Sequence, residues 1–332
     1  MSQPIAIIGA GSWGTALAIH LARNNPSLLL WTRDADQAAQ MNELRTNPDY
    51  LPGVTLPESI KTITDVQAIN GAACVLVAVP SRAMAEVAQL LQSVSLPTGI
   101  PVITCTKGIE HTTGRRMSQI LSEQLPDHPI AALSGPSHAE EVALDKPGAV
   151  VVAAQSPAHA KDLQARLAGG HLRIYTDHDV AGVELGGALK NIFAIAAGVG
   201  DGLGLGDNSK AALVTRALAE MIRLGIALGG ERETFQGLSG VGDLMVTCFS
   251  RHSRNRRLGE MLGQGQSLAE AEATLKQVAE GVPTTRNVWQ LAQHHDLRAP
   301  IVEVVHRMLF EGLPAGEALR SLIERDLRHE KE

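Results

Sequence analysis

Cysteine is scarce. The three present, Cys74, Cys105 and Cys248, show no CxxC spacing and nothing around them that completes a zinc ligand set, so they read as reduced, mostly buried thiols. Long apolar runs are missing too. The first, at residues 5–8, is too short for a signal-peptide core, and the longest charge-free apolar stretch, 191–200, is too short to span a bilayer, so the chain is expected in the cytoplasm with no membrane partner. Positive charge is in deficit: 29 Lys and Arg against 35 Asp and Glu give a formal charge of −6, which argues against a general nucleic-acid or anionic-membrane surface. Any anion site must therefore be local. The 12 histidines are scattered without HExxH or a nucleophile partner, so neither metal hydrolysis nor a Ser-His-Asp scheme has support.

What is present is a globular composition, 44% hydrophobic and 19% charged without a biased tract, in a chain of 332 residues. That length favours two domains over one core. From Pro4 to Thr176, short β-branched runs (PIAII, LLLWT, CVLVAVP, VITCT, IAALS, AVVVAA, LRIYT) alternate with amphipathic segments, the signature of a mostly parallel sheet. After Asp177 the pattern becomes helical. The expectation is an α/β, doubly wound Rossmann domain over 1–177, followed by an all-α substrate domain over 178–332, with a tight junction and no solenoid repeat.

Gly9, Gly11 and Gly14 form GAGSWG directly after PIAII and open an expected helix over 12–23. The first glycine permits the turn, the second admits a pyrophosphate and the third lets helix pack on strand. Past the second strand, where an acidic residue would bind a ribose 2′-hydroxyl, stands Trp31-Thr32-Arg33-Asp34. Arg33 suits a 2′-phosphate, so NADPH is expected over NADH, with NADH possible. The alternative, a solvated strand-end cation beside an Asp34 helix cap, stays open.

An expected helix over 183–200 is apolar on nearly every face yet carries Lys190. A buried ammonium is costly unless paired. Helical side chains lean toward the N-terminus, so Lys190 projects over Gly186 and Gly187, and ligand space is expected beneath the amine. A snorkelling or structurally paired lysine is the alternative. Lys107, in TKGIE, follows a strand at its carboxyl end, the ligand edge of open parallel sheets, unless it is merely a solvated loop cation. If the two amines share a cleft, burial and like charge should lower at least one pKa toward neutrality.

The segment 251–257, RHSRNRR, is the one dense basic cluster. Ser253 can cap the helix that follows, and a capped N-terminus with arginines suits a small phosphate. A solvated basic face is the alternative; the lack of interleaved aromatics disfavours nucleic acid. Asp243, in GVGDLMVTC, could orient Lys190 or accept from a substrate hydroxyl, unless it is a turn aspartate. In SGPSHAEEVA, Gly135 and Ser137 offer donors at another strand-to-helix junction, while GLGLGDN reads as an interhelical turn.

Together GAGSWG, TKGIE, LSGPSHAEEVA, ELGGALKNIFAIAAG, GVGDLMVTC, SRNRR and AEGVPTT resemble, in order and over essentially the whole chain, the bacterial NAD(P)-dependent glycerol-3-phosphate dehydrogenases. The resemblance implies reduction of dihydroxyacetone phosphate to sn-glycerol 3-phosphate for glycerophospholipid synthesis, with no metal. It implies that Lys190 donates the proton, that Lys107 and Asp243 assist, and that Gly135, Ser137, Ser253, Arg254 and Asn255 contact substrate. It assigns the cofactor to Ser12, Trp13, Arg33, Lys107, Ala139, Arg254, Val278 and Glu280 beside the glycines, and it implies a homodimer. Two other readings remain: a related two-domain hydroxyacid dehydrogenase, whose substrates carry a carboxylate, and a non-catalytic dinucleotide-binding regulator.

Overall fold

The computed structural model describes residues 3–110, 113–275, 278–324 and 329. The remaining C-terminal residues of the expected helical half lie outside the described residues.

Among the described residues ten strands are formed: β1 (Ile5–Ile8), β2 (Leu28–Trp31), β3 (Thr46–Asn47), β4 (Leu51–Thr55), β5 (Ile60–Ile63), β6 (Cys74–Val77), β7 (Val102–Thr104), β8 (Ile130–Ser134), β9 (Gly148–Ala154) and β10 (Leu172–Asp177). Eight make one sheet in the order β10-β9-β8-β7-β6-β1-β2-β5, while β3 and β4 pair separately. The helices between them are α1 (Ser12–Leu21), α2 (Ala35–Leu44), α3 (Met84–Gln92), α4 (Met117–Gln124), α5 (Ala139–Ala143) and α6 (Pro157–Leu167). Alternation along β1 explains the layering: Ile5 and Ile7 join a core with α1 and α6 residues, and Ala6 and Ile8 join one with α3 and α4 residues. From β1 the chain steps outward to β2 and β5, then returns to β6 on the other flank of β1. The carboxyl ends of β1 and β6 therefore frame the switch point at which such sheets take ligands.

Two features depart from expectation, and one specifies where a mostly parallel sheet reverses. β5, with β3 and β4, was not legible, because Pro52, Gly53 and Pro57 punctuate 46–63. β9 runs antiparallel to β8, so the sheet is parallel except at that one pairing. The central helix is longer than 183–200: α7 spans Val180–Gly202 and is 23 residues. It is long and apolar enough to cross a membrane by length and composition, but 83% of its apolar window is buried inside the protein. The expectation based on 191–200 is corrected accordingly: burial, not brevity, distinguishes this helix from a span.

No strand follows Asp177 among the described residues. After α7 come α8 (Asp207–Ala227), α9 (Arg232–Phe235), a π turn (Leu238–Gly242), α10 (Asp243–Phe249), α11 (Arg254–Gly263), α12 (Leu268–Leu275), α13 (Gly281–His294), α14 (Pro300–Phe310) and α15 (Ala315–Ile323). Residues of α7 form the axis of their core. Against it α11 packs backbone to backbone: a Cβ on Gly198 would stand 1.9 Å from the Arg256 carbonyl oxygen, and one on Gly259 would stand 2.0 Å from that of Ile195. Glycine on both helices thus fixes how closely the basic segment approaches the helix of Lys190.

Candidate active site

The glycine loop carries the geometry its pattern promised. Gly9 has φ +109°, and a Cβ there would meet the Ala78 carbonyl oxygen at 2.7 Å; one on Gly14 would meet that of Gly9 at 1.8 Å. At Gly11 a Cβ would have no atom within 4 Å, so the loop has an open face beside the start of α1. That combination fits a dinucleotide pyrophosphate. The loop is braced from behind: Gln37 and Asn47 both donate to the Ala10 carbonyl at 2.9 Å. Ser12 spends its hydroxyl on the Tyr50 carbonyl, 2.6 Å away, leaving its backbone amide for a ligand. The Trp13 indole N–H is buried without a partner. Arg33 is exposed just beyond β2, whose Trp31 carbonyl accepts from Gly9 at 2.9 Å, so it stands beside the loop. Asp34 caps α2 by accepting from the Gln37 amide at 3.0 Å.

Lys190 lies at the heart of the second half with 6% of its surface exposed. Its ammonium donates to Asp243 Oδ1 and, at 2.9 Å, to Thr247 Oγ1. Lys107 donates to the other carboxylate oxygen of Asp243 at 2.7 Å, to the Gly135 carbonyl at 2.8 Å and to Ser137 Oγ at 3.2 Å. One buried carboxylate thus holds two amines, one from each half of the chain. Burial, with Lys107 adding repulsion and Asp243 opposing both, lowers Lys190 to about 7. Burial acts to raise Asp243, but the two ammoniums outweigh it and its pKa is lowered. The expected pKa depression is therefore present, on Lys190.

Local folding explains this convergence. Asp243 opens α10 directly after the π turn, and that turn packs on α7 at Gly186, where a Cβ would stand 2.4 Å from the Ser239 carbonyl oxygen. At Gly187 a Cβ would meet Ser134 Oγ at 2.5 Å and Lys107 Cγ at 3.4 Å. The expected ligand space beneath Lys190 is therefore filled by protein. The glycine pair serves close approach of the π turn and of β8 rather than a cavity.

The basic segment begins α11. Ser253 is its cap, accepting from the Arg256 amide at 3.2 Å. Asn255 is engaged at both ends: its amide donates to Asn191 Oδ1 at 2.9 Å and its oxygen accepts from the Gly281 amide at 2.9 Å, tying α7 to α13. Arg254 donates to the Val278 carbonyl at 3.3 Å, and burial lowers its pKa despite the nearby Glu140 and Glu280 carboxylates. Ala139 begins α5, beside Glu140. Glu280 accepts from Ser81 Oγ at 2.6 Å and from its amide at 3.3 Å, bridging the halves. Thr106, next to Lys107, donates to the Val79 carbonyl at 2.7 Å, and Val79 also flanks Gly9, so the glycine loop and the amine cluster are contiguous.

Sequence reasoning missed Thr247, Ser134, His138, Ser81, Asn191 and the braces Gln37 and Asn47. For Thr247 a signal existed: it lies one helical turn past Asp243 on the same face. The others are brought in by tertiary contact.

Two family models match the chain: NAD-dependent glycerol-3-phosphate dehydrogenase N-terminus over residues 4–160, and C-terminus over residues 179–320. Glycerol-3-phosphate dehydrogenase (NAD(P)+) 2 of Salinibacter ruber is 47% identical over 334 residues, covering 99% of this chain and 97% of that one. The glycerol-3-phosphate dehydrogenase (NAD(P)+) of Moorella thermoacetica is 48% identical over 333 residues, covering 100% and 99%. The crystal structure of glycerol-3-phosphate dehydrogenase from Coxiella burnetii superposes with a TM-score of 0.94 at 42% identity, covering 98% of this chain and 99% of that one.

Proposed function

The chain belongs to the NAD-dependent glycerol-3-phosphate dehydrogenases, and on that premise we propose that it reduces dihydroxyacetone phosphate to sn-glycerol 3-phosphate, the precursor of glycerophospholipids. The observation that carries the chemistry is the buried Lys190 ammonium, sharing Asp243 with Lys107.

A bound reduced nicotinamide supplies the hydride; this chain's residues do the rest. Lys190, lowered to about 7, gives its proton to the carbonyl oxygen as negative charge develops there. Asp243 and Thr247 fix the direction of the Nζ donors. Lys107 adds a second positive charge and is itself aimed by Gly135 and Ser137. The start of α11, with Arg254, holds the unreacting phosphate, so binding energy remote from the reacting carbon orients the ketone. Two lysines stabilise the oxyanion, so the scheme calls for no metal.

Arg33 beside the glycine loop supports NADPH preference, with NADH accepted less well. The carboxylate substrates of related hydroxyacid dehydrogenases would leave the phosphate cradle without its partner. The reading further includes a division at 177/178 between cofactor and substrate halves, a cytoplasmic homodimer, and no nucleic-acid or membrane partner.

The test is loss of NADPH absorbance with dihydroxyacetone phosphate, comparing the natural chain with Lys190→Met and checking NADPH binding by fluorescence. Turnover that vanishes only in the variant, with binding retained, supports both reaction and donor. No turnover by the natural chain overturns the reading.

A further inference from the structure

The amines and carboxylate of the cluster satisfy one another, but the Nε2 of His138, beside that cluster, is buried and has no hydrogen-bond partner. His138 stands between Ser137, which meets Lys107, and Ala139, which begins α5. Its ring lies against that of His252 in the basic segment, centroids 5.8 Å apart and inclined at 51°, so it reaches across from one half of the chain to the other. Burial, reinforced by the Lys190 and Lys107 ammoniums and opposed by Asp243 and Glu140, holds its pKa below the ordinary imidazole value. At pH 7 the ring is neutral, with one donor and one acceptor nitrogen.

The substrate of the proposed reaction has three polar groups. The α11 start and Arg254 suit its phosphate, and Lys190 and Lys107 suit the oxygen at the reacting carbon. Its terminal hydroxyl is left, as is the unpartnered Nε2. Resting on the proposed function, we infer that His138 is a specificity-determining residue whose Nε2 hydrogen-bonds the terminal hydroxyl of the substrate. A buried polar group reserved in this way discriminates strongly against a ligand that cannot pair with it.

The experiment pairs two substrates with two variants. Dihydroxyacetone phosphate is compared with its analogue bearing a methyl in place of the terminal CH2OH, in the natural chain, His138→Phe and His138→Gln. Phenylalanine keeps a ring against His252 and removes both nitrogens; glutamine restores a donor and an acceptor. In His138→Phe, kcat/KM for dihydroxyacetone phosphate should fall about tenfold or more, and that for the methyl analogue less than about threefold, the ratio expected for one lost neutral hydrogen bond. His138→Gln should recover most of the preference. NADPH binding by fluorescence verifies folding of each variant. Equal losses on both substrates, or an unchanged preference in His138→Phe, overturn the inference alone. No turnover of dihydroxyacetone phosphate by the natural chain overturns the proposed function and this inference together.

Discussion

The proton donor makes a prediction that geometry alone would not. An ordinary lysine amine titrates at 10.5, and Lys190 is lowered to about 7, a penalty on the charged form of about 5 kcal/mol. Reduction needs the ammonium. With a donor titrating near 7, kcat/KM should fall about tenfold per pH unit on the alkaline side, so that by pH 9 only about one enzyme in a hundred is competent. Oxidation of glycerol 3-phosphate needs the free amine, so its limb should rise over the same interval. NADPH absorbance at fixed ionic strength, with both substrates between pH 6 and 9.5, measures both limbs. The causes are separable. Lys107→Met removes a like charge and should move the limb to higher pH, whereas Asp243→Asn removes the counter-charge and should move it lower. A reduction rate flat to pH 9.5, or both variants shifting the limb in the same direction, would refute the reasoning.

Other substitutions probe other links. Arg254→Ala should reduce kcat/KM for dihydroxyacetone phosphate by about a hundredfold, the scale of a lost charged hydrogen bond in a dry site; steady-state kinetics checks it. Arg33→Ala should bring the NADPH to NADH ratio of kcat/KM toward one, and an unchanged ratio would assign the cofactor's 2′ end elsewhere. Glu184, 5% exposed, accepts from Arg116 at 2.8 Å and from the Ser118 amide at 2.8 Å. Glu184→Ala leaves the half-buried Arg116 guanidinium and the buried Ser118 amide without their acceptor and should cost about 1–3 kcal/mol in urea unfolding. Gly259→Ala should destabilise by at least about 1–3 kcal/mol, because the atoms it meets are backbone and cannot swing away.

Much of the fold was legible because its strands are short apolar runs set between helices, and the glycine loop because strand, turn and helix occur in one contiguous segment. The edge strand β5 was hidden by Pro52, Gly53 and Pro57 close upstream, and by Lys61 within a four-residue strand. The reversal at β9 was hidden for a different reason: local composition records burial, and a buried strand looks the same in either direction.

At the site, sequence identified the expensive residue and offered Asp243 as its orienter, but could not decide between that role and a turn aspartate. Lys190 stood out because its helix is apolar on nearly every face. Its partner, Asp243, lies 53 positions away, and its neighbour Lys107 comes from the other half of the chain. The Gly186–Gly187 pair illustrates the limit further: absent side chains mark room, but not whether a ligand or the protein occupies it. Here the π turn and Ser134 do. That filling has a chemical consequence. An amine over an open, wet pocket would titrate near its ordinary value; packed protein on the glycine face keeps Lys190 out of water, and desolvation is the largest cause of its lowered pKa. The glycines therefore contribute to proton donation by what they let in, and Gly187→Ala, which must displace the Ser134 hydroxyl packed beside Lys107, should disturb the pH profile as well as stability.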